Sequence, residues 1–174
     1  MANAERTIEA RVNAALQRFN SLPAEVAQDA LYSCFANRRW ASALAAARPF
    51  RTIKEIMTAA ESAWSDISDV EWLAAFEAHP RIGERGRHAP AASAREQGRV
   101  AQAEPETLVA LSIENREYEK RFGHVFLIAA SGRSAADILA SLRGRMNNDA
   151  AAELRVAAEE QRKITRLRLK ALVT

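Results

Sequence analysis

Apolar residues return every three or four positions along most of this 174-residue chain, and that period is the strongest constraint on its fold. Ile8, Val12, Leu16 and Phe19 form the first such stripe. Val26, Ala30, Leu31, Cys34 and Phe35 form the second, after Pro23. Ile53, Ile56, Met57, Ala60 and Trp64 form the next, and Leu108, Leu111, Asn115, Tyr118 and Phe122 line one face of a longer stretch. A stripe of this spacing is one face of an amphipathic helix, whereas a half-buried strand alternates with period two. The sequence therefore predicts an all-α fold, a multi-helix bundle in a single domain over residues 1–174. The length fits one domain, and no internal repeat, low-complexity tract or long linker divides it.

Punctuation agrees with the period. "NSLP" ends the first helix, and the second breaks near "NRRW" before an alanine-rich segment that Pro49 stops, since a proline disfavours helix at the residue before it. Ser68-x-x-Glu71 and Ser134-x-x-Asp137 read as capping boxes, and Gly123 stands where a helix needs a left-handed terminating residue. "NND" precedes a final helix that runs to about Leu172. The short apolar run "HVFLIAAS" stays open: periodicity does not separate a buried strand, an extended segment and a helix there.

Charge and composition narrow the function classes. The formal net charge is +3, with basic and acidic residues mixed along the helices. A basic face for nucleic acid would have to be assembled from Arg38, Arg39, Arg81, Arg85 and Arg87, and an interaction module would have to expose Trp40, Trp72 and Phe76. Neither pattern is a block, and the expectation is no nucleic acid and no membrane. The amino terminus lacks a signal-peptide apolar segment, no eighteen apolar residues run together, and the chain ends in "KALVT" where a peroxisomal address would be Ser-Lys-Leu. A cytoplasmic location is expected. The single cysteine, Cys34, leaves no internal disulfide, and no His or carboxylate pair at helical ligand spacing suggests a metal.

Three places interrupt the helical pattern. Trp72, Leu73, Phe76 and His79 share one side of a helix that His79-Pro80 ends, with Gly83 free to turn sharply after it. An imidazole fixed at such a corner suits proton transfer, and it equally suits the negative end of a helix dipole. His88, in a polar loop, and His124, just after the Gly123 cap, are weaker candidates. Ser93-Ala94-Arg95-Glu96 is a capping box by its spacing, while the amides of a helix start also attract anions. Arg168 is the third. With 100° per residue and Ile164 as origin it falls at about 40°, inside the apolar stripe of Leu154, Ala157 and Leu172. Arg155, Arg162, Lys163, Arg166 and Lys170 fall outside it. A guanidinium on an apolar face needs an anion, either a protein carboxylate such as Glu96 or a ligand carboxylate or phosphate.

The segments "LPAEVAQDALYSCFANRRWASALAAARPF", "WLAAFEAHPRIGE", "SAREQG", "IENREYEKRFGHVFLIAASGRS" and "ITRLRLKAL", in this order, resemble the 2-oxo-4-hydroxy-4-carboxy-5-ureidoimidazoline (OHCU) decarboxylase family. The family supplies the last enzyme of the route from urate to (S)-allantoin. His-Pro-x-x-Gly and the later Ser-x-x-Glu-Gln are the most specific parts. The resemblance implies an all-helical fold, usually a homodimer, acting on a small anionic ureidoimidazoline with no metal or organic cofactor. It implies His79 as catalytic histidine with Glu96 and Arg168 beside it. Pro80, Ser93, Gln97 and the run Phe126, Leu127, Ile128, Ala129 and Ala130 match substrate-contacting positions. The residue after His-Pro, here Arg81, is often acidic in relatives, and "HPRIG" is also a familiar bacterial version.

Overall fold

The computed structural model describes residues 14–82 and 103–174, and these form helices joined by turns, with no strand among them. After a helical stretch at 14–20 come α1 (Ala24–Cys34), α2 (Arg38–Ala46), α3 (Ile53–Trp64), α4 (Asp69–Phe76), α5 (Pro105–Phe122), α6 (Ala135–Arg145) and α7 (Ala150–Leu172). Ile8, Val12, Gly83, Arg85, Arg87, His88 and the Ser93–Gln97 motif lie outside the described residues. The chain forms two compact units, Met1–Glu71 with Thr165–Thr174, and Trp72–Ile164.

In the first unit the buried stripe is Ala27, Leu31 and Cys34 on α1, Trp40, Ala41 and Leu44 on α2, and Ile56, Ala60 and Trp64 on α3. Val26 turns outward and is 49% exposed, because the stripe of α1 is centred on Ala27 and Leu31. Phe35, Trp40 and Trp64 pack edge-on or tilted, with ring centroids 5.4–6.1 Å apart. The Trp40 indole N–H donates to the Ala60 carbonyl at 3.2 Å, so the bulkiest buried ring leaves no polar atom stranded. α1 breaks at Phe35, and Asn37 restarts the chain as N-cap of α2 by accepting the Trp40 N–H at 2.8 Å. α2 stops at Ala46, and Arg48, non-helical before Pro49, donates from Nη1 to the carbonyls of Phe19 (3.0 Å) and Leu22 (2.8 Å). Those bonds tie Arg48 to the end of stretch 14–20 and to the turn that follows it.

The second unit gathers Ile82, Leu111, Tyr118, Phe126, Ile128, Ile138 and Leu142 into one apolar cluster. α5 ends at Gly123 with φ of 76°, where its N–H donates to the Glu119 carbonyl. α6 starts with the Ser134–Asp137 capping box. Between them the apolar run at 125–130 is neither helix nor strand. It is mostly buried and irregular, and parts of its backbone find partners among side chains.

α4 closes earlier than the spacing of Trp72, Phe76 and His79 suggests. It ends at Phe76, and Leu73 is 37% exposed, so neither His79 nor Leu73 belongs to a buried helical face. Pro80 gives the reason. In an α-helix the residue at position 80 would donate to the Phe76 carbonyl, and proline has no N–H to give. His79 donates to that carbonyl instead, at 3.0 Å, and Ala78 donates to Ala75 at 3.3 Å. The tighter turn carries the chain off the helix axis before His79.

Candidate active site

His79 and Pro80 are half-buried at this corner, and the next two residues, Arg81 and Ile82, are held from one face of α5. Arg81 donates to both carboxylate oxygens of Glu119, from Nε at 2.6 Å and Nη2 at 2.8 Å. One turn away on α5, the buried Asn115 donates from Nδ2 to the Ile82 carbonyl at 3.0 Å, and the Ile82 side chain enters the apolar cluster. Residues 115 and 119 share a helix face because four positions make about one turn. The Arg81 charge is thus compensated by Glu119. Local spacing gave no sign of either anchor, although a polar Asn115 amid Leu111 and Tyr118 was the signal available.

The second predicted segment belongs to the same cluster. Phe126, Leu127, Ile128 and Ala130 are buried and Ala129 is half-buried. Phe126, Ile128 and Ala130 share one apolar cluster with Ile82, the second residue after Pro80. Phe126 stands edge-on to Tyr118 at 5.1 Å with the Arg145 guanidinium over its ring at 4.5 Å. Arg145 Nη1 donates to the Leu127 carbonyl at 2.6 Å, and the Ala129 N–H donates to Glu160 Oε2 at 2.8 Å. Backbone groups of Leu127 and Ala129, two positions that the resemblance matches to substrate contacts, therefore have protein partners here.

Behind the run lies a buried polar network. The fully buried Glu153 carboxylate accepts from Arg145 Nε at 2.8 Å, from Asn148 Nδ2 at 2.7 Å and from the Tyr118 hydroxyl. Burial and then the hydrogen bond to Glu153 push the Tyr118 hydroxyl above its ordinary range, so it stays a donor. Burial also pushes Glu160 up, but hydrogen bonds from Lys163 and the Ala129 amide, with the charges of Lys163 and Arg133, prevail and hold it below the usual value. The residues that sequence reasoning missed here are Glu153 and Glu160. Both fall on the wheel face of Ala157 and Ile164, at about 340° and 320° from Ile164.

Arg168 is half-buried in the last turns of α7, within the first unit. Thr165, Leu169 and Val173 are the buried positions there, and Thr165 Oγ1 donates to the Cys34 carbonyl at 3.4 Å. Arg168 therefore flanks the buried stripe. Arg166 pairs with Glu61, and Arg162, expected to be solvated, is half-buried beside Glu159. Glu96, Ser93 and Gln97 are outside the described residues.

The remaining candidates resolve into packing. His124 lies against Phe76 and Tyr118, with ring centroids at 5.3 and 5.5 Å. Trp40, Trp72 and Phe76 are buried, which removes the aromatic surface an interaction module would need. Arg38, Arg39 and Arg81 face Asp29, Glu71 and Glu119, so each exposed guanidinium is charge-compensated. Among the described residues no group of three or more His, Cys, Asp or Glu could hold a metal ion, and no helix is long and apolar enough to cross a membrane.

Comparison with known proteins places this geometry in context. The sequence model of OHCU decarboxylase matches residues 20–170. The chain is 30% identical over 160 residues to the 2-oxo-4-hydroxy-4-carboxy-5-ureidoimidazoline decarboxylase of Haloferax volcanii, covering 88% of this chain and 93% of that one. It is 32% identical over 151 residues to the uric acid degradation bifunctional protein TTL of Arabidopsis thaliana, covering 83% of this chain but only 47% of the plant protein. A crystal structure of OHCU decarboxylase in the presence of (S)-allantoin superposes with a TM-score of 0.72 at 34% identity, over 82% of this chain and 95% of that one.

Proposed function

The chain belongs to the OHCU decarboxylase family, and from that premise we propose that it decarboxylates 2-oxo-4-hydroxy-4-carboxy-5-ureidoimidazoline to (S)-allantoin in urate breakdown, as a cofactor-independent carboxy-lyase. The observation that carries this reading is the continuous match over residues 20–170, which runs through both units and supports one functional domain. The likeness to a decarboxylase crystallised with (S)-allantoin supports the product.

The chemistry needs few groups. When the carbon–carbon bond to the carboxylate breaks, carbon dioxide leaves and its bonding pair stays on the ring carbon. The adjacent carbon–nitrogen double bond accepts that pair: a carbon–carbon double bond forms and the imine nitrogen takes the displaced electrons and a proton. The substrate is its own electron sink. The enol that results loses its hydroxyl proton and gains one at the neighbouring ring carbon, giving the carbonyl and the new stereocentre. In this reading His79 carries one of these two protons, and a donor fixed on one face makes a single enantiomer. Arg168 balances the charge of the carboxylate or of the electron-rich intermediate, and Glu96 accepts N–H bonds from the ureido or ring groups. Pro80, Ser93, Gln97 and residues Phe126–Ala130 line the substrate. Two copies of the chain and a cytoplasmic location complete the proposal.

Substrate generated freshly from urate decays slowly by itself to racemic allantoin, which makes an internal control. The protein should speed carbon dioxide release and yield dextrorotatory product. His79→Asn should lower turnover by at least about 10²-fold, the usual scale for a lost acid–base group, with the helical circular dichroism unchanged. Near-normal turnover in that variant would remove His79 from the mechanism.

A further inference from the structure

We propose that Asn115 and Glu119, one turn apart on α5, are positioning residues that set the placement of the His79 imidazole; the inference rests on His79 being the proton carrier of the proposed reaction. The chain leaves α4 at Phe76 and is tied to that helix end by the His79 N–H bond to the Phe76 carbonyl at 3.0 Å. From there only Pro80 separates His79 from residues that α5 holds. Arg81 is fixed by two parallel bonds to Glu119, and the Ile82 carbonyl by the buried Asn115 amide at 3.0 Å. Pro80 has a fixed φ, which removes one of the torsions between Arg81 and the imidazole-bearing residue.

The two anchors differ in kind. Asn115 is buried, and its amide fills a need: the Ile82 carbonyl sits at the edge of the apolar cluster, where an unmet acceptor is costly. The Arg81–Glu119 pair is substantially exposed, with side-chain exposures of 42% and 22%, so it contributes little to stability. Its planar two-bond geometry gives direction instead, tethering the Arg81 guanidinium to α5. A surface ion pair with small energetic worth but firm geometry next to the residue that moves a proton acts on rate through alignment, where displacements on the order of 1 Å cost up to about 100-fold.

The test uses the full chain. Glu119→Ala and Arg81→Glu should each lower kcat roughly tenfold by misalignment while leaving KM and the melting temperature nearly unchanged. The exchanged pair, Arg81→Glu with Glu119→Arg, should recover most of kcat. Asn115→Leu should lower kcat further, and if it fails to fold the Glu119 arm decides. Alongside, the His79 imidazole resonances and their titration are followed by NMR in each variant. They should shift in Glu119→Ala and return in the exchanged pair. Unchanged His79 resonances in Glu119→Ala, or a kcat within twofold of the unaltered chain, would overturn the assignment. An unaltered chain that does not accelerate decarboxylation overturns the reading of function instead, and the NMR arm then still decides whether Asn115 and Glu119 place His79.

Discussion

At the scale of single residues, Glu153 is the acceptor at the centre of the buried polar network. Its carboxylate is fully buried, and Arg145, Asn148 and Tyr118 all donate to it, while Arg145 also reaches the Leu127 carbonyl. A buried ion pair owes much of its effect to the cost of leaving either charge alone. Arg145→Met should therefore destabilise the protein by about 3–5 kcal/mol, because it strands the Glu153 charge and unties Leu127 together. Adding Glu153→Leu should restore much of that loss, which distinguishes stranded charge from lost packing. Urea unfolding of the two variants measures this, and an Arg145→Met loss below about 1 kcal/mol, the range of an exposed pair, would show that the network is water-accessible.

Among the elements, the starts of helices are where single carboxylates act most. Ser68 Oγ and N–H both bond Glu71, which also accepts from Arg39 and Asn37. The Ser68 amide first, then Arg39, Ser68 Oγ and Asn37, lower its pKa from 4.5 to about 2. A carboxylate with a folded value below its unfolded one stabilises the protein above the unfolded value and loses that effect as pH falls through the folded one. The window thus runs from 4.5 down to about 2. Glu71→Gln should unfold at lower urea than the unaltered chain near neutrality, and the two midpoints should draw together across that window. Other carboxylates are common to both proteins and cancel in the difference. A gap that stays constant down to the acid end would mean the cap works through shape alone. Ser134→Ala, which removes the acceptor for the Asp137 N–H in the other capping box, should cost about 1 kcal/mol at neutral pH.

For the whole molecule, what the sequence revealed divides by distance along the chain. Caps and stripes are local, and Ser134, Gly123 and the stripes of α3 and α5 could be read from neighbours within about a turn. The ties that hold the candidate site are not local. Asn115 to Ile82 spans 33 residues, Glu160 to Ala129 spans 31, and Arg145 to Leu127 spans 18, and no spacing rule encodes such pairings. The apolar run at 125–130 was ambiguous for the same reason: its backbone partners come from α6 and α7 rather than from itself. His79 stood out because Pro80 is its immediate neighbour, and Arg168 because it interrupts an apolar pattern, whereas Glu153 and Glu160 passed as ordinary acidic residues of a charged helix.

The proposed catalytic groups are similarly dispersed, with His79 and Arg168 separated by most of the second half of the chain. If the proposed roles hold, a product that touches each of them stabilises the folded molecule less when either is removed. At ten times its dissociation constant, (S)-allantoin should add about 1.4 kcal/mol, which for a chain of this size raises the melting temperature by roughly 3–6 °C. At the same concentration the rise should shrink in Arg168→Ala and in His79→Ala alike, and the mirror-image product should give less of it. An undiminished rise in Arg168→Ala would place the guanidinium outside the site, since a group that does not touch the ligand has no differential affinity with which to shift the folding equilibrium.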